Sequence, residues 1–140
     1  MTQTFLVDTS ALVRLHRDPA LRNVWRDKVD AGLVGICPIT ELELLFSARS
    51  MADRVTILRL LTGSYIPTYM PDGVYHRAAE VQDLLTRKGQ HRSAGPIDLL
   101  VAAAAELSGL TVLHYDGDFD VIKRATGQPA QWLAPPGTIR

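Results

Sequence analysis

The sequence predicts an α/β fold, a parallel sheet covered by helices on both faces, and two observations carry that prediction. Short apolar, β-rich runs (TFLVD, LVGICP and LTVLHYD) each break off at a turn or polar residue, as buried strands do. Between them lie stretches with helical spacing of apolar residues, and strands alternating with helices pair in parallel beneath helices on both faces. At 140 residues the chain is expected to form a single domain, residues 1–140, around one core.

Each element follows in order. TFLVD is the first strand, and ALVRLH begins the first helix. PALRNVWRDKVDAG is the next helix, with Pro19 at its start and Gly32 at its stop. LVGICP is the second strand, in which Cys37 reads as a small core residue rather than a ligand or nucleophile. ITELELLFSARSM and ADRVTILRLLTG are helical, with Leu42, Leu45 and Phe46 spaced for one face. SYIPTYM is a weaker strand candidate. In DGVYHRAAEVQDLLTRKG, Val74, Ala78, Val81 and Leu85 recur at helical spacing and Gly89 ends the pattern. PIDLLVAAAAELSGL is a proline-started helix that stops near Gly109, and LTVLHYD is read as the last strand.

Composition narrows the function classes. A hydrophobic share of 46% with 21% charged residues is that of a globular protein. Fifteen Lys and Arg balance fifteen Asp and Glu, so any polyanion binding must come from a local patch. A single cysteine excludes a disulfide framework within the chain. No apolar run approaches the ~20 residues that span a bilayer and no basic n-region opens the chain, so no membrane association and a cytoplasmic location are expected.

Ligands of open α/β sheets gather beyond the carboxyl ends of the strands. Asp8 follows the first strand, while Asp116, with Asp118 close by, follows TVLHY. Glu43 in PITELELL and Asp98 in GPIDLLVAAAA stand in what read as the first turns of helices on that same edge. Acids crowded together repel one another unless a cation balances them. The natural partner is a hard divalent ion such as Mg²⁺, which takes oxygen ligands and suits phosphate-ester chemistry. Each acid alone has a simpler reading. Thr40 and Glu43 have the form of a capping box, Asp98 suits a helix dipole, Asp8 could cap the next helix, and DGDFD could be a turn in which Gly117 takes a positive φ. Caps and turns are needed equally at the opposite edge, so their joint placement favours a site.

These residues also resemble a known family. VDTSAL at the start, ITELELL about a quarter along and PIDLLVAAAAELSGLTVLHYDGDFD near the end are similar, in order and spacing, to PIN-domain ribonucleases of the VapC toxin type. The resemblance implies a three-layer α/β/α sandwich and a metal-dependent endoribonuclease acting as the toxin of a toxin–antitoxin pair. By position it implies Asp8, Asp98 and Asp116 as ligands of Mg²⁺ or Mn²⁺, Glu43 as the further catalytic acid and Asp118 as an auxiliary one. The family pattern of threonine followed three residues later by the acid selects Glu43 over Glu41. Thr9 and Ser10 are expected either to support the site from the ion's water shell or to cap the helix.

Hydrolysis through a carboxylate-held ion predicts 5′-phosphate and 3′-hydroxyl products without a histidine acid–base pair. His76, His91 and His114 show no pairing and read as packing or surface residues. Arg87, Lys88, His91 and Arg92 form a basic run before the Asp98 helix that could guide RNA, although a solvated helix end is the commoner meaning of such a run. A homodimer through apolar positions around Leu42, Phe46, Val55, Leu58 and Leu61 is expected, together with an antitoxin laid over the acidic edge. The competing readings are a receiver-like Mg²⁺-binding signalling domain, a haloacid-dehalogenase-type phosphatase and a catalytically inactive binding module. The first lacks its acidic pair and late lysine. The second lacks an acid two residues after Asp8, where Ser10 stands. Against the third stands the presence of all four acids.

Overall fold

The computed structural model describes residues 3–140. Its elements run β1 (Phe5–Val7), α1 (Thr9–Arg17), α2 (Pro19–Asp30), β2 (Val34–Ile36), α3 (Pro38–Phe46), α4 (Met51–Ser64), β3 (Ile66–Pro67), α5 (Val74–Arg87), α6 (Pro96–Leu107), β4 (Thr111–His114), α7 (Asp118–Thr126) and β5 (Ala130–Trp132). The five strands form one sheet in the order β3-β2-β1-β4-β5. Every pair is parallel, with Phe5 opposite both Val34 and Thr111.

The pleat assigns neighbouring side chains to opposite faces. Phe5, Val7, Val34, Ile36 and Leu113 enter one core, with Leu12 and Leu15 of α1, Trp25 of α2, Leu44 of α3 and Leu61 of α4. Leu6 and Val112 enter the other, against Val81 and Leu85 of α5, Val101 and Ala104 of α6, and Phe119 and Ile122 of α7. This is the expected three-layer α/β/α sandwich. The alanine run of α6 is almost wholly buried, its small side chains letting that helix lie close to the sheet and to α5. Full burial of a side chain such as Leu85 contributes about 1.5–3 kcal/mol. Gly89 and Gly109 take positive φ just beyond α5 and α6, where a side chain would be strained, which is why those helices stop there.

The structure corrects several local expectations. The run ITELELLFSARSM is not one helix: α3 ends at Phe46, and Ser50 caps α4 by accepting from the Asp53 amide. SYIPTYM contributes only the two residues of β3, at a sheet edge where Pro67 costs no ladder bond. DGDFD is the start of a helix, since α7 begins at Asp118 and Gly117 has a φ of −59° rather than a positive one. The last strand is β5, beyond LTVLHYD; its three residues are too few to show a period of two. Leu61, assigned to a partner surface as well as the core, is 2% exposed and belongs to the core.

Candidate active site

β1 and β4 are neighbours at the centre of the sheet, and the helices that follow them, α1 and α7, pack on opposite faces. A crevice therefore opens between their carboxyl ends, the topological switch point at which such folds bind ligands. The acids stand around it.

Asp8, immediately after β1, is 3% exposed and is the N-cap of α1. Its Oδ2 accepts from the Ser10 amide at 3.0 Å and from Ser10 Oγ at 2.7 Å. Its Oδ1 is buried without a hydrogen-bond partner. The choice posed by the sequence, cap or site acid, is thus answered oxygen by oxygen: one caps and the other is unengaged. Ser10 Oγ also accepts the Tyr115 amide at 2.8 Å, so a single hydroxyl joins the ends of β1 and β4. Ser10→Ala is expected to cost about 1–2 kcal/mol in urea unfolding and to weaken Mn²⁺ binding about tenfold, because Asp8 loses a donor that fixes its orientation. Unchanged Mn²⁺ affinity would remove Ser10 from the site.

Glu43 does not form the capping box that its sequence suggests. The N-cap of α3 is Cys37, with Pro38 as the first helical residue; Thr40 is fully buried inside the helix, 3.4 Å from the Cys37 sulfur. Proline starts the helix three residues earlier than a Thr40 cap would, leaving Glu43 beyond the first turn. There Glu43 Oε1 accepts from Thr9 Oγ1 at 2.6 Å and its charge raises the proton affinity of Asp8. Glu41, two residues away on α3, makes no such link to α1.

Asp98 is the third residue of α6, placed by Pro96 and the extended Gly95 before it. One carboxylate oxygen each from Asp98, Asp116 and Asp118 lie within 4.8 Å of one another. The Asp118 amide donates to Asp116 Oδ1 at 2.9 Å, closing the turn into α7. Asp118, expected as an auxiliary acid, stands within this cluster, and Asp8 stands beside it, near enough for its charge to act on Asp98. Desolvation pushes the Asp98 carboxyl up to about 7, aided by the charges of Asp8, Asp116 and Asp118. Burial also raises Asp8, against the opposing effect of its Ser10 bonds, and raises Asp118, with Asp116 adding to it.

An all-oxygen donor set, beside a buried oxygen that lacks a donor, fits a hard divalent cation. Asp98, Asp116 and Asp118 are grouped to hold one, with Asp8 adjacent. Residues 5–125 match the PIN domain. The chain belongs to the PIN-domain family. A relative from Mycobacterium tuberculosis, named Ribonuclease VapC21, is 44% identical over 140 residues, 99% of each chain. Among solved structures, the DNA-bound VapBC of Salmonella typhimurium superposes with a TM-score of 0.78 at 20% identity, covering 94% of this chain and 99% of that one. A toxin–antitoxin complex from Klebsiella pneumoniae gives 0.68 at 16% identity, over 94% and 98% of the two chains. These two share the PIN fold.

Sequence reasoning missed the aromatic support behind the acids. His114, at the end of β4, is fully buried between Phe119 and Trp132, and its Nδ1 accepts the Asp116 amide at 3.2 Å. Burial lowers its pKa, which keeps it neutral and able to accept. Its packing role was expected; its hold on Asp116 shows only when β4 and α7 are seen together. Of the basic run, Arg87 pairs with Asp83 at 2.8 Å. Lys88, His91 and Arg92 are exposed in the loop leading to the Asp98 helix.

Proposed function

We propose that this PIN-domain chain is a metal-dependent endoribonuclease, the toxin of a toxin–antitoxin pair. The observation that carries this reading is the convergence of Asp98, Asp116 and Asp118 beside the buried, half-engaged Asp8 in a chain that aligns end to end with a VapC ribonuclease. Asp8, Asp98, Asp116 and Asp118 are the acids available to hold Mg²⁺ or Mn²⁺. Such an ion, when bound, supplies polarisation of a phosphoryl oxygen and a lowered pKa for water. Thr9 orients Glu43 toward α1, Ser10 fixes Asp8, and His114 fixes the Asp116 backbone. Glu43 is the acid left to accept a proton from attacking water, since its environment includes no cationic partner among the described residues. Lys88, His91 and Arg92 line one approach for the RNA backbone.

The test is direct. Purified protein with Mg²⁺ or Mn²⁺ should cut single-stranded RNA to 5′-phosphate ends, and EDTA should stop it; cutting that persists in excess EDTA would contradict the reading.

Two partners belong to this reading. An antitoxin arginine would meet strong acceptors at the carboxylate cluster. A second copy would cover Phe46, 92% exposed at the end of α3, together with Leu42 and, on α4, Met51, which are 66% and 71% exposed. Light scattering after size exclusion should give a dimer at tens of micromolar and a monomer for Phe46→Glu. A wild-type monomer would remove the dimer from this account. No helix among the described residues is long and apolar enough to cross a membrane.

A further inference from the structure

Arginines also line a cavity on the α1 side of the switch point, and one of them reaches the segments that carry the acids. Arg14 lies one turn after Ser10; its Nη1 donates to the Ser10 carbonyl at 2.7 Å, and its guanidinium carbon sits 4.7 Å from the centroid of the Tyr115 ring. Its Nε is buried without a hydrogen-bond partner. Tyr115 directly precedes Asp116, and its amide is bound by the same Ser10 hydroxyl that donates to Asp8. Arg14 is therefore held against both chain segments that carry the acids.

Arg14 lines a cavity of about 390 Å³ with Arg17, Arg140, Asp18 and Thr138. Its outer wall is the C-terminal segment, tied down where the Ile139 amide donates to the Tyr115 hydroxyl at 3.2 Å. Asp18 is the acid of the lining, and its Oδ1 is engaged by the Ala20 and Leu21 amides at the start of α2. Three arginines against one acidic side chain in the lining of one cavity, in a chain with no net charge, form a local excess that an anion would relieve. Guanidinium forks match the oxygens of phosphate in pairs.

We propose that this cavity is a phosphate subsite for the RNA strand, seating a backbone phosphate on the α1 side of the acids, away from the one that is cut. The proposal rests on the nuclease reading and adds a second basic approach, across the acids from Lys88 and Arg92. It makes Arg17 and Arg140 determinants of RNA affinity, with Arg14 fixed between subsite and acids by its stack on Tyr115.

Binding of a labelled single-stranded RNA is measured across a salt series, without added metal and in the Asp98→Asn background to suppress cleavage, for Arg17→Gln/Arg140→Gln and for Arg17→Lys/Arg140→Lys. KM and kcat are measured with the same pairs in the otherwise unaltered chain. The glutamine pair should weaken RNA binding about tenfold and flatten the log Kd against log salt slope by about 1.4, at ~0.7 for each lost single-strand phosphate contact. KM should rise with kcat nearly unchanged, and the lysine pair should restore most of the slope. An unaltered slope and KM in the glutamine pair would overturn the subsite, as would equal loss in the lysine pair, which would mark a structural role. Failure to bind RNA at all overturns it as well, and leaves the arginines to an acidic protein segment. RNA binding with the expected slopes but no metal-dependent cutting by the unaltered chain would instead overturn the nuclease reading and keep the subsite.

Discussion

Asp98→Asn is expected to lower RNA cleavage by about 10³-fold or more while raising the melting temperature of the metal-free protein. The rate loss follows from removing a charged ligand from an ion that supplies several kcal/mol of transition-state charge stabilisation. The stability gain follows from proton linkage. The unfolded Asp98 carboxyl titrates near 3.8 and the folded one at about 7, so between those values the folded state holds a proton that the unfolded state releases. Stability of the metal-free protein therefore falls as pH rises through that window. Asparagine carries no charge, so at pH 7.5 the variant should melt a few degrees higher, at about 4 °C per kcal/mol for a chain of this length. At pH 4, where both forms are neutral, the difference should shrink. Full activity in a folded Asp98→Asn protein would contradict the site.

The second large effect is on metal affinity. With Asp98 raised to about 7, and Asp8 and Asp118 also raised, a cation must displace protons to bind below neutrality. Mn²⁺ affinity should fall about tenfold per pH unit between pH 6.5 and 5.5, and more steeply lower down as the other acids take up protons. Calorimetry in buffers of different ionisation enthalpy would count the released protons. Affinity that does not change from pH 8 to 5.5 would mean that the ion does not bind at these carboxylates. A melting curve with saturating Mg²⁺ should reverse the pH trend of the metal-free protein, because bound cation favours the folded state.

The positions of Asp8, Asp98, Asp116 and Asp118 were legible in the sequence because each follows a strand or opens a helix, and because α/β topology sends those positions to one edge. What one chain segment does to another was not. Glu43 reads as a cap to Thr40, yet it reaches Thr9 of α1 because Pro38 starts α3 earlier. Asp8 was posed as either cap or site acid, and its two oxygens do different things. Asp118 entered as an auxiliary acid implied by the family resemblance; with α7 starting there, the helix brings its carboxylate in among the other two. Arg14 stands four residues after Ser10, a helical spacing that places it on the same face of α1, and nothing in the linear order brings it to Tyr115. The short β5 escaped because three residues cannot display a period, and for the same reason SYIPTYM gave only a weak sign of β3.

Binding of one cation by Asp98, Asp116 and Asp118, with Asp8 beside them, is measured without RNA by Mn²⁺ titration monitored by electron paramagnetic resonance at pH 8. The unaltered chain should bind Mn²⁺ saturably with a dissociation constant in the micromolar to millimolar range, and Asp98→Asn should weaken that binding at least ~10-fold while circular dichroism shows the fold kept. Failure of the unaltered chain to bind, or equal binding by the two proteins, would contradict a metal centre at this edge of the sheet.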